Sequence, residues 1–415
     1  MPKFAHLSDI HIGAFRQPEL KKLLLDAFDA AIDRCMKEDV AFIVMAGDIF
    51  DSNIPDLTSV RRAAKKMKEA VDAGIRVYAV YGSHDFSPNY SSIVDVLNGA
   101  GVFISAESLS TSDGRSTLGF VRDPSGPLIC GISGRKLSID RDIYTALNRK
   151  ELEDAEGFKV FVFHAAIDEL KPSSLEAMEA IPASYLPAGF NYYAGGHVHG
   201  RSVETLPGRP NIAFPGPLFA TDYTELLQLA HGGERGFFIV EFGDAVSRVE
   251  FVPVKVCDVV ELHYSAQGKS SNHAAKELTE LASGADVGGK VVLLTAEGEL
   301  SDGKTSDIDF GAVRKLLMAS KPTIVLSNYS HLTTKEQKSV VLAKPSQATE
   351  RELFEREISK VKSDEGALRG SKGVALALEL LRVLKEGRKE NENKGDFEDR
   401  TAKAGFGVLG LKEEG

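Results

Sequence analysis

The stretch AFIVMAGDIFD, Ala41–Asp51, constrains the fold most, because an apolar run stops abruptly at Gly47-Asp48 and leaves the Asp48 carboxylate at a strand end. An apolar run of roughly four to eight residues closed by glycine reads as a strand buried on both faces, as parallel strands in α/β sheets are. Ligands of such sheets lie beyond the carboxyl ends of the strands. The pattern recurs along the chain. Phe4–Ser8 leads into Asp9 and His11, and Val77–Tyr81 into Ser83, His84 and Asp85. Val160–Phe163 leads into His164, and Tyr192–Gly196 into His197 and His199. Five strand ends therefore gather carboxylates and imidazoles on one sheet edge.

Between these strands the spacing turns helical. Glu19–Met36 carries Leu23, Leu24, Ala27, Phe28, Ala31 and Ile32 on one face, and Asp56 opens a second helix that runs to about Ala73, stopped by Gly74. A third, Ser91–Gly99, shows Ile93, Val94, Val96 and Leu97, somewhat more apolar surface than one core face needs. From Leu118 to Val254 strands outnumber helices. The economical architecture is α/β, an αββα two-sheet sandwich over residues 1–255 with the ligand-bearing ends on one edge. A small, separate βαβαβ unit is expected over 256–330, beginning near Cys257. Beyond it lies a charged linker, 331–349, broken at Pro345. Two short amphipathic helices, Glu350–Lys362 and Gly373–Leu384, flank Gly366–Gly370 and form a helix-loop-helix over 350–386. Such a hairpin cannot bury both apolar stripes by itself, so it calls for a docking surface. Mixed charge makes 387–415 read as a flexible tail.

At 415 residues the chain exceeds one hydrophobic core. No apolar run approaches the roughly 20 residues that span a bilayer, which points to a protein without membrane segments, in the cytoplasm. Cys35, Cys130 and Cys257 stand apart in apolar surroundings and fit isolated thiols of a reducing compartment. The formal charge of −10 argues against strong non-specific attraction to nucleic acid but does not exclude a locally positive site holding cations.

Asp9, His11, Asp48, His164, His197 and His199 form a mixed oxygen and nitrogen set that suits Mn(II), Fe(II) or Zn(II) better than Mg or Ca. Six ligands exceed the needs of one ion. Two ions about 3.5 to 4 Å apart, bridged by one carboxylate, would use them all and activate a water for attack on phosphorus. His6, alternating on the first strand, reads as a core residue.

Asp9-x-His11, Gly47-Asp48-x-x-Asp51, Gly82-x-His84-Asp85, His164 and Gly196-His197-x-His199 resemble, in order, the five motifs of calcineurin-like metallophosphoesterases. The HLSDIHIG opening, the GDIFDSNIP second motif, the appended βαβαβ unit and the helical hairpin resemble most closely the SbcD-type or meiotic-recombination-eleven nucleases of DNA double-strand-break repair. The resemblance implies a DNA nuclease, an exonuclease and single-strand endonuclease, with two Mn(II), Asp48 bridging them, Asp9 and His11 on one side with His199, and His164 and His197 on the other. It implies that His84 acts on the scissile phosphate without binding metal, and that Asp51 orients His84. The small unit would cap the nuclease and grip DNA. Residues 350–386 would bind a coiled-coil SMC-like ATPase of the SbcC type, helices near 57–73 and 91–99 would pair two copies, and the complex would be associated with the nucleoid. Where the family motif has Asn as a metal ligand, this chain has Ser83, a shorter and weaker donor that leaves the second metal site looser. Two other readings remain open: a phosphomonoesterase or cyclic-nucleotide phosphodiesterase, and a weakly catalytic scaffold that tethers DNA.

Overall fold

The computed structural model describes residues 1–86, 92–112, 114–135, 139–171, 178–334, 347–359, 368–387 and 394–409. Three βα units open the chain: β1 (Lys3–Leu7), α1 (Pro18–Lys37), β2 (Phe42–Ala46), α2 (Leu57–Asp72), β3 (Arg76–Val80), α3 (Ile93–Gly99), followed by β4 (Ile104–Ser105). A hairpin of β5 (Leu109–Ser112) and β6 (Arg115–Leu118) leads to β7 (Val121–Arg122) and β8 (Leu128–Ile132). Helices α4 (Ile139–Ala146) and α5 (Lys150–Asp154) precede β9 (Lys159–His164), the short parallel pair β10 (Ala166–Ile167) and β11 (Ala180–Ile181), and β12 (Tyr192–Gly196). After β13 (Ser202–Leu206), β14 (Arg209–Phe214) and α6 (Tyr223–Ala230), the strands β15 (Gly236–Phe242) and β16 (Val246–Pro253) return to the first sheet.

Two six-stranded sheets result, ordered β16-β15-β1-β2-β3-β4 and β13-β14-β12-β9-β8-β7. Strand alternation assigns their faces. Phe4, Phe42, Val44 and Val80 pack against Val160, Val162, Tyr192 and Ala194 between the sheets. Ala5, Leu7, Ile43 and Met45 point the other way, under the apolar stripes of α1, α2 and α3. Phe161, Phe163 and Tyr193 do the same on the second sheet, beneath Tyr144 and Leu152 of α4 and α5. The expected αββα sandwich is thus present. His6 lies between the sheets with Nδ1 3.0 Å from the Tyr192 hydroxyl, and burial pushes it down to about 3, so it is a neutral core residue.

Parallel register brings the functional strand ends level. Leu7 sits opposite Met45, Ala46 opposite Val80, and on the other sheet Gly196 opposite His164.

The appended elements β17 (Val259–Ser265), α7 (Ser271–Gly284), β18 (Val291–Leu300), α8 (Phe310–Ala319) and β19 (Ile324–Asn328) follow the expected βαβαβ order, with β20 (Leu332–Thr334) added to the end of β18. The unit is not separate. Val291, Leu293 and Ile324 belong to the same apolar cluster as α1, α2 and Leu226 of α6, so one face of its sheet packs onto the sandwich, while Ala274, Leu278, Val292, Leu294 and Leu317 are buried outside that cluster. Compact unit one accordingly takes in Met1–Ser265, Ala275–Ala296 and Asp309–Tyr329. Compact unit two holds the loops Ala266–Ala274 and Glu297–Ile308 and the chain after Ser330.

In that second unit, α9 (Gln347–Ile358) and α10 (Gly370–Lys385) form the two expected helices. Residues 360–367, with the connection at Gly366, and 335–346, with Pro345, lie outside the described residues, as does Ser91. The tail departs from expectation, because 394–409 forms a helix, α11 (Lys394–Leu409), packed on α10. Phe397, Thr401, Gly405 and Val408 are spaced as one helical stripe and, with Arg400, are the less exposed of its described side chains, a pattern hidden by the surrounding charge. Arg400 pairs with Glu386 at 3.3 Å. Residues 388–393 and 410–415 lie outside the described residues. Among the described residues, no helix is long and apolar enough to cross a membrane.

A shared core makes a measurable prediction. Leu293→Ala should cost the whole of unit one about 2–5 kcal/mol and shift a single melting transition. Calorimetry showing a separate transition for 256–330, with the sandwich unaffected, would contradict this packing.

Candidate metal centre

Each strand end is followed by a sharp turn, and four of the ligand candidates sit on left-handed backbone: Asp9 (φ 50°), His11 (φ 46°), Asp48 (φ 49°) and His197 (φ 85°). Such conformations are uncommon outside glycine and persist only where surrounding structure imposes them. Here the imposition is visible. The amides of Asp9, His11 and Ile12 donate to the carbonyls of Gly47, Asp48 and Ile49, at 3.2, 2.9 and 3.0 Å, tying the first two turns together. The His197 amide donates to Asp9 Oδ1 (2.8 Å), and the His84 amide to Asp48 Oδ1 (2.8 Å). Gly82 must lack a side chain, since a Cβ there would run into the Asp48 carboxylate and amide. Gly196 faces the Ala46 carbonyl in the same way.

Three sets of potential ligand atoms, each within 4.8 Å of one another, emerge: Asp9, His11 and His199; His11, Asp48 and His84; Asp9, Asp48 and His164. They share Asp9, His11 and Asp48, so the site is one continuous cluster with Asp48 near its middle. His197 stands outside these sets, with its ring 5.2 Å from that of His164. Ser83 lines a cleft of about 510 Å³ together with His164 and His197. His84, with 42% of its side chain exposed, stands at the open side, its ring 4.9 Å from that of His11.

The hydrogen bonds at the ring nitrogens test whether these residues suit a cation. His164 Nδ1 donates to the Ala46 carbonyl (2.8 Å), and His11 Nδ1 lies 3.2 Å from Asp51 Oδ1. Each imidazole therefore carries its proton on Nδ1, and when neutral it turns the lone pair of Nε2 inward. Those Nε2 atoms are buried without a hydrogen-bond partner, yet lie 3.2 and 3.6 Å from Asp48 Oδ2. A lone pair facing a carboxylate oxygen requires positive charge between them, either a proton or a metal ion. With protein groups alone, burial opposes the imidazolium of His164, but Asp48 and then Asp9 overcome it and push the group up to about 10. Burial disfavours the Asp48 anion too, yet His164 and His11 hold it well below the usual carboxylate range. His197 is pushed down to about 4 by burial and by the neighbouring His164. Buried carboxylates facing inward lone pairs fit a divalent cation, and the mixed donor set suits Mn(II), Fe(II) or Zn(II).

Asp51 meets His84 mainly through its main chain, and its carboxylate lies at ion-pair distance. That group is 3.8 Å from His84 Nδ1 and nearer to His11, because the turn aims the side chain back at the first motif. The Asp51 main-chain carbonyl accepts from His84 Nδ1 instead (2.8 Å).

Two supporting groups, Glu225 and Arg235, escaped the sequence reading, and Asp85 takes a supporting role that its place in the third motif did not announce. Glu225, 6% exposed, accepts from His199 Nδ1 (2.9 Å) and from the Thr221 amide (2.7 Å), which leaves His199 Nε2 as its lone-pair nitrogen. Burial opposes its charge, but His199 and Arg235 hold it down to about 2. Arg235 donates to the His199 carbonyl (3.0 Å). Asp85, fully buried, accepts the amides of Gly82, Ile49 and Phe50 at 3.0–3.1 Å, so it locks two turns together. The signal for Glu225 was its place three residues after the Asp222 N-cap of α6, which foretells a helix start but not the imidazole it orients.

Groups that orient metal-binding imidazoles typically matter by about 10- to 100-fold in metal affinity. Glu225→Gln should therefore weaken Mn(II) binding by that amount while circular dichroism stays unchanged. Calorimetric titration showing undiminished affinity would limit Glu225 to capping α6.

Comparison with known proteins agrees with this geometry. Residues 2–201 match the sequence model of the family described as Calcineurin-like phosphoesterase. The chain is 24% identical over 321 residues to a protein of Archaeoglobus fulgidus named DNA double-strand break repair protein Mre11, covering 70% of this chain and 67% of that one. A protein of the same name from Sulfurisphaera tokodaii is 28% identical over 256 residues, covering 60% and 62%. Among solved structures, a dimetal phosphatase from Danio rerio aligns with a TM-score of 0.32 and 12% identity over 61% of this chain and 98% of that one. Residues 2–201 are thus similar to calcineurin-like phosphoesterases, and the motifs of that stretch are drawn together at one edge of the two-sheet sandwich.

Proposed function

We propose that the protein is a Mn(II)-dependent DNA nuclease of double-strand-break repair. One observation carries the reading: two buried imidazole Nε2 atoms and the Asp9 and Asp48 carboxylates converge on one volume that needs positive charge. The names of the relatives supply the substrate. Asp48 would bridge two sites, one made with Asp9, His11 and His199 and the other with His164, His197 and Ser83. A bound pair of divalent cations would supply an activated water for in-line attack on a phosphodiester. The chain's own residues then orient and move protons. His84, open to solvent and held by the Asp51 carbonyl, would protonate the leaving oxygen.

The remaining parts follow the same reading. Residues 1–255 supply the nuclease and 256–330 a cap over the substrate. Residues 350–386 supply an anchor for a coiled-coil SMC-like ATPase of the SbcC type. Leu57 and Val96, 77% and 59% exposed on α2 and α3, offer apolar surface for pairing two copies.

DNA should be degraded with Mn(II) and poorly with Mg alone, because several imidazole ligands disfavour Mg. His84→Ala should lower that rate by about 10²- to 10⁴-fold while two Mn(II) still bind by calorimetry. Loss of metal in this variant would make His84 a ligand and remove it as the proton donor.

Ser83 generates a separate test. Its hydroxyl reaches less far than an Asn carbonyl, so one metal site should bind tightly and the other weakly. Ser83→Asn should strengthen the weak site by about 10-fold or more. Two equally tight sites before the change would show that the shell is already complete.

A further inference from the structure

A sixth strand end borders the metal centre and brings no metal ligand with it. β8 runs into Ser133, Gly134 and Arg135, and the last two of these line the cleft shared by Ser83, His164 and His197. Gly134 lies flat against the His164 imidazole, where a Cβ would stand 2.7 Å from Cδ2 of the ring. Its amide donates to the Tyr81 carbonyl (2.7 Å), and the Tyr81 amide donates in return to Ser133 Oγ (3.1 Å). Tyr81 directly precedes Gly82, Ser83 and His84. One turn of the second sheet thus backs the ring of His164 and fixes the start of the turn that carries Ser83.

An ion pair anchors this turn to the first sheet. Arg135 Nη2 donates to both carboxylate oxygens of Glu107 (2.9 Å each), and Nη1 donates to the Ser133 carbonyl (3.2 Å). The Ser133 amide donates to Glu107 Oε1 (3.1 Å). Glu107 follows β4 of one sheet and Arg135 follows β8 of the other, so the pair spans the two sheets at the edge where the ligands gather. Its side chains are 12% and 16% exposed. A guanidinium on a carboxylate fixes direction as well as distance, which suits it to hold a turn in register.

The histidines of the other site are oriented by different groups. His11 Nδ1 meets Asp51, and His199 Nδ1 meets Glu225. We infer that Glu107 and Arg135 are positioning residues for the second metal site, acting through Ser133 and Gly134 on Ser83 and His164. The inference rests on the two-site reading and deepens it by giving the weaker site a support of its own. Ser83 makes that support matter, because a short side chain has little reach with which to offset a displaced backbone.

The test is calorimetric titration of the full chain with Mn(II). Charge alone predicts opposite signs for the two members of the pair: losing Glu107 removes a negative charge and disfavours a cation, whereas losing Arg135 removes a positive charge and favours one. Positioning predicts the same sign. Glu107→Gln and Arg135→Gln should each weaken one of two Mn(II) sites by about 10- to 100-fold and leave the other unchanged. Ser133→Ala keeps the ion pair and removes only the hydroxyl that accepts the Tyr81 amide, so it should weaken the same site and serves where an ion-pair variant does not fold. Turnover of bis(p-nitrophenyl) phosphate should fall at limiting Mn(II) in each variant and recover at saturating Mn(II). An Arg135→Gln protein whose weaker site is unchanged or tighter overturns the positioning role. So does turnover that stays low at saturating Mn(II) with both affinities intact, which would make Arg135 a contact to the substrate. A parent chain that binds fewer than two Mn(II) defeats the two-site reading, whereas two sites in the parent that no variant alters defeat the positioning role alone.

Discussion

The centre depends on one electrostatic requirement: the Asp48 carboxylate is buried among imidazoles whose protons have been drawn to the far side of each ring. Burying an anion beside lone pairs is costly unless a cation completes the arrangement. The rest of the sandwich can be understood as holding this arrangement in place. Parallel register levels the strand ends, the paired turns hold left-handed residues, and Gly82 and Gly196 remove side chains that would occupy the same space.

Much of this was legible in the sequence because a strand ran into a potential ligand five times, three of them through a glycine, and each repetition fixed both a buried strand and the residue at its end. The αββα layering followed from the same alternation. The helices 19–36 and 57–73 were also readable to within a residue or two, since Leu20–Cys35 and Val60–Ala70 each bury one face.

What escaped the sequence depended on tertiary proximity. Nothing near His199 announces that Glu225, on another element, will accept its proton, and Asp85 looked like a spare ligand until its oxygens were found occupied by three amides. Asp51 carries a side chain that the turn could aim at either of two histidines. The βαβαβ unit has enough apolar residues for a core of its own, and only packing reveals that it shares one with α1 and α6. Charge concealed the stripe of α11.

The left-handed residues also bear on the order in which the molecule becomes structured. Asp9 is secured by the amide of His197, 188 residues away, and His164 by the carbonyl of Ala46, 118 residues away. Neither bond exists until both sheets have met, so these contacts form late, after the ties between the first two turns that the first sheet supplies by itself. The cluster is therefore a product of the completed sandwich, not a nucleus for it. Any ion that binds only the finished cluster stabilises the whole fold by mass action. In such a chain, metal supply in the cell would govern how long the molecule persists as well as how fast it works.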